Sequence, residues 1–168
     1  MMARRSSQEA QTTPAAGGAA VRSAALALLA RRDFANAELR ERLCLKGFDS
    51  AAVATVIAEL TATGVLDDAR YAQNYVSYHA GRGQGPARIG AQLRRNGLAP
   101  AVIAAALAGG VDWHALARKV RRARFGPQPP AGWAETARQA RFLQYRGFSS
   151  DHIRAATGAE PDTGPTDP

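Results

Sequence analysis

The sequence predicts an all-α fold: an elongated solenoid, curved to the right or to the left, of three tandem three-helix repeats with about nine helices. Three observations predict it. LCLKGFDS (43–50), LRRNGLAP (93–100) and LQYRGFSS (143–150) share one pattern of Leu, three residues, Gly and a large apolar residue. Gly47, Gly97 and Gly147 fall at equal steps, 97 − 47 = 50 and 147 − 97 = 50. Apolar residues elsewhere recur at the i, i+3 and i+4 spacing of helices, and no segment alternates strongly enough to be a strand.

Residues 1–21 are small, polar and punctuated by Gly and Pro, which predicts a disordered leader. Repeat 1 is expected over 22–66. Its first helix, about 22–32, would turn Leu26, Leu28 and Leu29 inward, and its second, about 37–46, Leu39 and Leu43. Gly47 is placed to take the left-handed turn at that helix end, Phe48 to close it, and Asp49 to cap the third helix. Val53, Val56, Ile57 and Leu60 form the third helix's buried face, and Gly64 ends it.

Repeat 2, 67–111, obeys the same logic. Asp67 caps a helix of about 68–80 carrying Tyr71, Tyr75, Val76 and Tyr78. After GRGQGP (81–86) come Ile89 and Leu93 as a stripe, Leu98 as the closing contact, and Pro100 in a first helical turn, where its missing N–H does no harm. Val102, Ile103 and Leu107 continue inward. Repeat 3, 112–158, begins with Asp112 as cap of a helix of about 113–124 bearing Trp113, Leu116 and Val120. Phe125-Gly126-Pro127 breaks that helix and PQPPAG bends the chain. Phe142 and Leu143 lead to Gly147, Phe148 closes, Ser149 caps, and Ile153 aligns with Ile103 and Val53. A disordered tail is expected over 159–168. One three-helix unit of ~45 residues buries too little surface to be stable alone, and stacking in series relieves that.

With 46% hydrophobic and 21% charged residues among 168, the composition is that of an ordinary folded domain. Cys44 is the only cysteine, so no intrachain disulfide can form and a reducing compartment fits. His79, His114 and His152 lie far apart, and no Cys/His/Asp/Glu cluster has metal-ligand spacing, so neither metal nor cofactor is expected. AALALLA (24–30) runs straight into Arg31-Arg32-Asp33, not into a cleavage site, and nothing approaches the ~20 apolar residues of a membrane span. A cytoplasmic monomer that does not touch the membrane is expected.

The formal net charge is +8, and it is unevenly spread. Residues 22–68 carry six basic and seven acidic side chains; residues 69–154 carry fourteen basic and three acidic, a net +11. A polyanionic partner for the later repeats is implied. The densest stretch is RKVRRARF (118–125). On a helical wheel Trp113, Leu116 and Val120 share one face, Arg118 and Arg122 lie opposite, and Lys119 and Arg121 flank them. Arg124 completes the run, while Arg82, Arg88, Arg94, Arg95, Arg138, Arg141 and Arg146 extend the basic character along repeats 2 and 3.

GRGQGP precedes a helix N-terminus, where backbone N–H groups could meet an anion. No strand leads into it and no Lys-Ser/Thr follows, so the expected structure is a flexible link ending in an N1 proline. Asp67-Asp68 reads as cap plus first-turn charge, not as a catalytic pair. No nucleophile–base pair is present, and no enzyme is expected.

ALALLARRDF, AELRERL and KGFD within 25–49, GVLDDARYAQNYV (64–76), GRGQGPARIGAQLRRNGL (81–98) and RFLQYRGFSSDHI (141–153) resemble the RecX family of bacterial recombination regulators over about residues 22–157. The resemblance implies a non-enzymatic modulator, usually an inhibitor, of the RecA recombinase. Such proteins lie as a clasp of three-helix repeats in the groove of the RecA–single-stranded DNA filament. They suppress its ATP hydrolysis, strand exchange and coprotease activity, and so act on DNA repair and the SOS response. The partners implied are the RecA filament and its single-stranded DNA, with DNA outside the filament as a further candidate. One departure is Ala35, where the family usually has a Ser or Thr cap; Asn36 is expected to cap one residue late.

Arg88, Arg94, Arg95, Arg118, Lys119, Arg121, Arg122 and Arg124 are expected to bear most of the attraction, with Arg82, Arg138 and Arg141 adding to it. Replacing Arg118, Lys119, Arg121 and Arg122 by alanine should then weaken filament binding with helix content intact. The alternatives are a helix-turn-helix-like DNA-binding regulator and a protein-only helical adaptor. Against the first, no helix carries a compact reading face of Arg, Asn, Gln and Ser.

Overall fold

A computed structural model describes residues 14–158 of the chain, and among these it holds nine α-helices and no strand. They are α1 (Pro14–Leu29), α2 (Asn36–Leu45), α3 (Ser50–Ala62), α4 (Asp68–Gly81), α5 (Pro86–Arg95), α6 (Pro100–Ala108), α7 (Trp113–Phe125), α8 (Gly132–Arg146) and α9 (Ser150–Thr157). They pack in consecutive threes. The chain forms two compact units: one, ending at Asp67, holds α1–α3, and the other, beginning at Asp68, holds α4–α9. The expected leader is partly helical, because α1 reaches back to Pro14 and Val21 is buried. The rest of that leader, 1–13, and the expected tail lie outside the described residues. No single described helix is long and apolar enough to cross a membrane.

The three glycines build one turn three times. Gly47, Gly97 and Gly147 have φ of 89°, 84° and 92°, a region where a side chain is strained and glycine is not. After each, the amide of Phe48, Leu98 or Phe148 donates back to the carbonyl of Leu43, Leu93 or Leu143, at 3.4, 3.2 and 3.1 Å. These bonds take up carbonyls that a helix end leaves unpaired. All three leucines are fully buried. The next helix then starts at once. Asp49 Oδ2 accepts from the amides of Ala51 and Ala52, Pro100 sits in the first turn of α6, and Ser149 Oγ accepts from His152 N–H.

Two local expectations are corrected. Asn36 is the first residue of α2, not its cap; Ala35 precedes the helix without a side-chain bond, and the Asn36 amide donates instead to Thr61 Oγ1 at 3.2 Å. In the first helix of each repeat the expected stripe holds in part: Leu28, Leu29, Tyr71, Val76, Leu116 and Val120 pack inward, whereas Leu26 and Tyr78 do not. Leu26 is 43% exposed while Val21 and Ala25 are buried; Tyr78 is 58% exposed while Tyr71, Ala72, Val76 and Ala80 are buried; in α7 the buried residues are Ala117 and Arg121.

The step of fifty also orders the core. Val21, Tyr71 and Arg121 stand at one position of the repeat, as do Leu39, Ile89 and Gln139, and all six are buried. Repeats 1 and 2 fill these places with apolar or aromatic side chains. Repeat 3 fills both with polar ones that bond to each other, Arg121 Nη1 to Gln139 Oε1 at 3.3 Å.

Candidate functional site

The glycine-rich segment 81–86 positions the site. It ends in an N1 proline as expected, but it is bonded to the end of α8 and so forms a joint where a flexible link was expected. Gly83 takes φ 75° and folds the end of α4, with the amides of Gly83 and Gln84 bonded to the carbonyls of Ala80 and His79. Gly85 N–H then donates to Arg146 O at 2.8 Å, and Ala87 N–H to Gly147 O at 3.0 Å. Donors left over at the start of α5 thus meet acceptors left over at the end of α8. That pairing uses the Gly85 and Ala87 N–H groups, two of the donors that a phosphate at this helix start would need. The approach leaves no room for a side chain: a Cβ on Gly85 would lie 2.3 Å from the backbone of Gly147, and one on Gly147 would lie 2.4 Å from Arg88 Cβ.

Around this joint the second and third repeats bring their arginines together. Arg146 Nη1 donates to Arg82 O at 3.3 Å, and its guanidinium lies 5.3 Å from the Phe142 ring centre. Arg82 Nη1 donates to Tyr78 Oη at 2.6 Å. Arg88 reaches across to Tyr145, with its guanidinium carbon 5.5 Å from the ring centre and Nη1 3.4 Å from the carbonyl. Arg82, Lys119, Arg124 and Arg146 rim an open groove of about 360 Å³ whose floor is Leu116, Val120, Ala123 and Phe142. No carboxylate lines it. Its positive field is felt nearby: His79 is held below the usual imidazole range, first by burial and then by Arg82 and Arg88, against a raising hydrogen bond with Gln84.

The predicted residues are therefore sorted by the fold. Arg82, Lys119 and Arg124 converge, Arg88 adjoins them through the joint, and Arg146 gains a place at the rim that charge alone did not single out. Arg94 and Arg95 are exposed in the last turn of α5, about 9 Å along the axis from Arg88, and Arg95 bonds Gln92. Arg122 and Arg141 are exposed and Arg118 is half-buried. Arg138 pairs with Glu135 at 2.9 Å and lies over Phe125.

Arg121 is the correction. It is 3% exposed, and its guanidinium donates to the carbonyls of Gln128 (2.7 Å), Gly126 (3.2 Å) and Pro127 (3.2 Å) as well as to Gln139. The chain leaving α7 at Gly126 wraps these carbonyls over it. Its charge holds a turn and cannot meet a polyanion. The fifty-residue register, which sets it level with Val21 and Tyr71, was the signal that the helical wheel of α7 lacked.

Three family models, described as the first, second and third three-helix domains of RecX, match residues 22–60, 67–107 and 112–157. The chain belongs to the RecX family. Among RecX relatives, the regulatory protein RecX of Halorhodospira halophila is 47% identical over 145 residues, covering 86% of this chain and 90% of its own length. That of Pseudomonas fluorescens is 41% identical, covering 85% and 94%. The crystal structure of RecX from Lactobacillus salivarius superposes with a TM-score of 0.75 at 20% identity, over 84% of this chain and 95% of that one. A second, titled crystal structure of regulatory protein RecX, gives 0.73 at 22% identity, over 87% and 74%. At these identities the structures speak for the fold: tandem three-helix RecX domains.

Proposed function

We propose that this RecX-family regulator binds the RecA–single-stranded DNA filament and inhibits its ATPase, strand-exchange and coprotease activities, thereby modulating DNA repair and the SOS response. The observation that carries the reading is the cationic site at the joint of repeats 2 and 3. A filament of DNA and protein is a polyanion, and a carboxylate-free cluster on a braced joint attracts it with little loss of side-chain order. The action is steric and electrostatic: the cations hold the protein to the filament, and the helical scaffold resists the filament's movements. No bond is made or broken, and the protein acts in the cytoplasm as a monomer.

The test is RecA ATPase on single-stranded DNA, with this protein titrated substoichiometrically. Inhibition should appear well below one molecule per RecA protomer, and it should weaken when Lys119 and Arg124 are replaced by alanine. Undiminished ATP hydrolysis at equimolar protein would overturn the proposal.

A further inference from the structure

We infer that the groove at the joint takes a short acidic polypeptide segment that inserts an apolar side chain, and not a nucleotide. The two halves of its lining point to such a ligand. The floor is aliphatic apart from Phe142, and that ring is not open for base stacking. One side faces the Arg146 guanidinium, and its neighbour Phe125 meets it edge-on with ring centres 5.2 Å apart. Sequence-tolerant nucleic-acid sites rely on uncovered aromatic faces, and sequence-reading ones set cations or amides against base edges along an open polar groove. This groove instead rings an apolar floor with its cations, Arg82, Lys119, Arg124 and Arg146, so the centre of the site favours an apolar group.

Cations spaced around an apolar slot suit carboxylates on either side of an anchoring Leu or Phe. The volume, about 360 Å³, admits one such side chain with its flanking backbone. The slot is also braced from behind. A Cβ on Gly83 would meet Val120 Cγ2 at 2.9 Å, so the floor is pinned against the folded end of α4 and keeps its shape without a ligand. The exposed aromatic rings, Tyr78 and the 78% exposed Tyr145, lie outside this lining, each with an arginine over one face.

The inference rests on the filament reading only for the source of the segment, which it assigns to the protein part of the filament. Its test is therefore run without RecA. A fluorescent peptide, Asp-Glu-Leu-Phe-Glu-Asp, and its analogue with Ser in place of Leu and Phe are titrated with the full chain by anisotropy. The apolar peptide should bind about tenfold more tightly or better, because burying one large apolar side chain accounts for at least that ratio. Ala123→Glu, which puts a carboxylate on the exposed edge of the floor, and Arg124→Glu should each abolish the preference with circular dichroism unchanged. Arg42→Glu, the same charge change in repeat 1, should keep it.

Equal binding of the two peptides would overturn the inference. So would displacement of the peptide by oligothymidylate together with equal losses of both ligands in Ala123→Glu. Peptide preference without RecA inhibition would leave the groove assignment standing and sink the filament reading instead.

Discussion

Arg121 is enclosed by carbonyls from three successive residues and by a facing glutamine, so its contribution is to folding. Arg121→Ala would strip charge-assisted bonds and leave buried acceptors without a donor, a loss of about 3 kcal/mol in urea unfolding. Lysine would not rescue it, since a single ammonium cannot present the planar fork these acceptors surround. Changing Arg121 to Val and Gln139 to Leu together, the residues repeat 1 has at these places, should cost less than Arg121→Val alone. Two full, additive losses would show that the pair is not a unit. His79 sets a pH dependence. Burial beside Tyr75, with Arg82 and Arg88 facing it, lowers its pKa, so the unfolded chain takes a proton first as pH falls below about 6.5. Its contribution is complete above that pH and lost below it. The fall in Tm between pH 7.5 and 5.5 should be smaller in His79→Gln than in the wild type, and equal falls would refute the assignment.

At the scale of elements, the same glycine is used in two different ways. Gly47 has open space where its Cβ would be, whereas that of Gly147 would meet Arg88 backbone N at 2.7 Å. Gly47→Ala should cost only the left-handed strain, about 1–2 kcal/mol. Gly147→Ala carries the same strain and also wedges α8 from α5, so its loss should be on the order of 3 kcal/mol or more. Chemical denaturation of the two variants measures the difference, and equal losses would mean that the joint is soft. The turns could be read from the sequence because a left-handed residue leaves a glycine behind, and a closing contact leaves a Leu or Phe. The stripes of α2 and α5 were equally plain, Leu39 with Leu43 and Ile89 with Leu93. The first helix of each repeat was not wholly so: Leu28, Leu29, Tyr71 and Val76 stood out and pack inward, but Ala25, Ala72, Ala80 and Ala117 do not stand out from an alanine-rich chain. Nor was the joint, where backbone meets backbone and only the small residues Gly85 and Gly147 mark the contact. For the site, the sequence displayed the cations but not their convergence. Arg82, Lys119, Arg124 and Arg146 are spread over 64 positions and meet only once α4, α7 and α8 are packed.

For the molecule as a whole, the decisive quantity is how filament binding responds to salt. An alanine block at Arg118, Lys119, Arg121 and Arg122 would confuse two effects, because Arg121 supports the fold. Lys119, Arg122 and Arg124 are all exposed on α7, and replacing these three should leave helix content and Tm nearly unchanged. If the cations act on DNA phosphates, six to ten contacts would reduce affinity roughly 10³- to 10⁵-fold between 50 and 200 mM salt. A groove filled by an acidic peptide predicts a shallower slope, because few charges are neutralised and the apolar anchor is insensitive to salt. The expected result is therefore inhibition of RecA ATPase that weakens by about ten- to a hundredfold over that range, with the triple variant weaker at every salt and flatter in slope. The steep phosphate slope in the wild type would move the contact from the groove to the DNA. Identical inhibition by wild type and variant across all salts would remove the cationic site from the mechanism altogether.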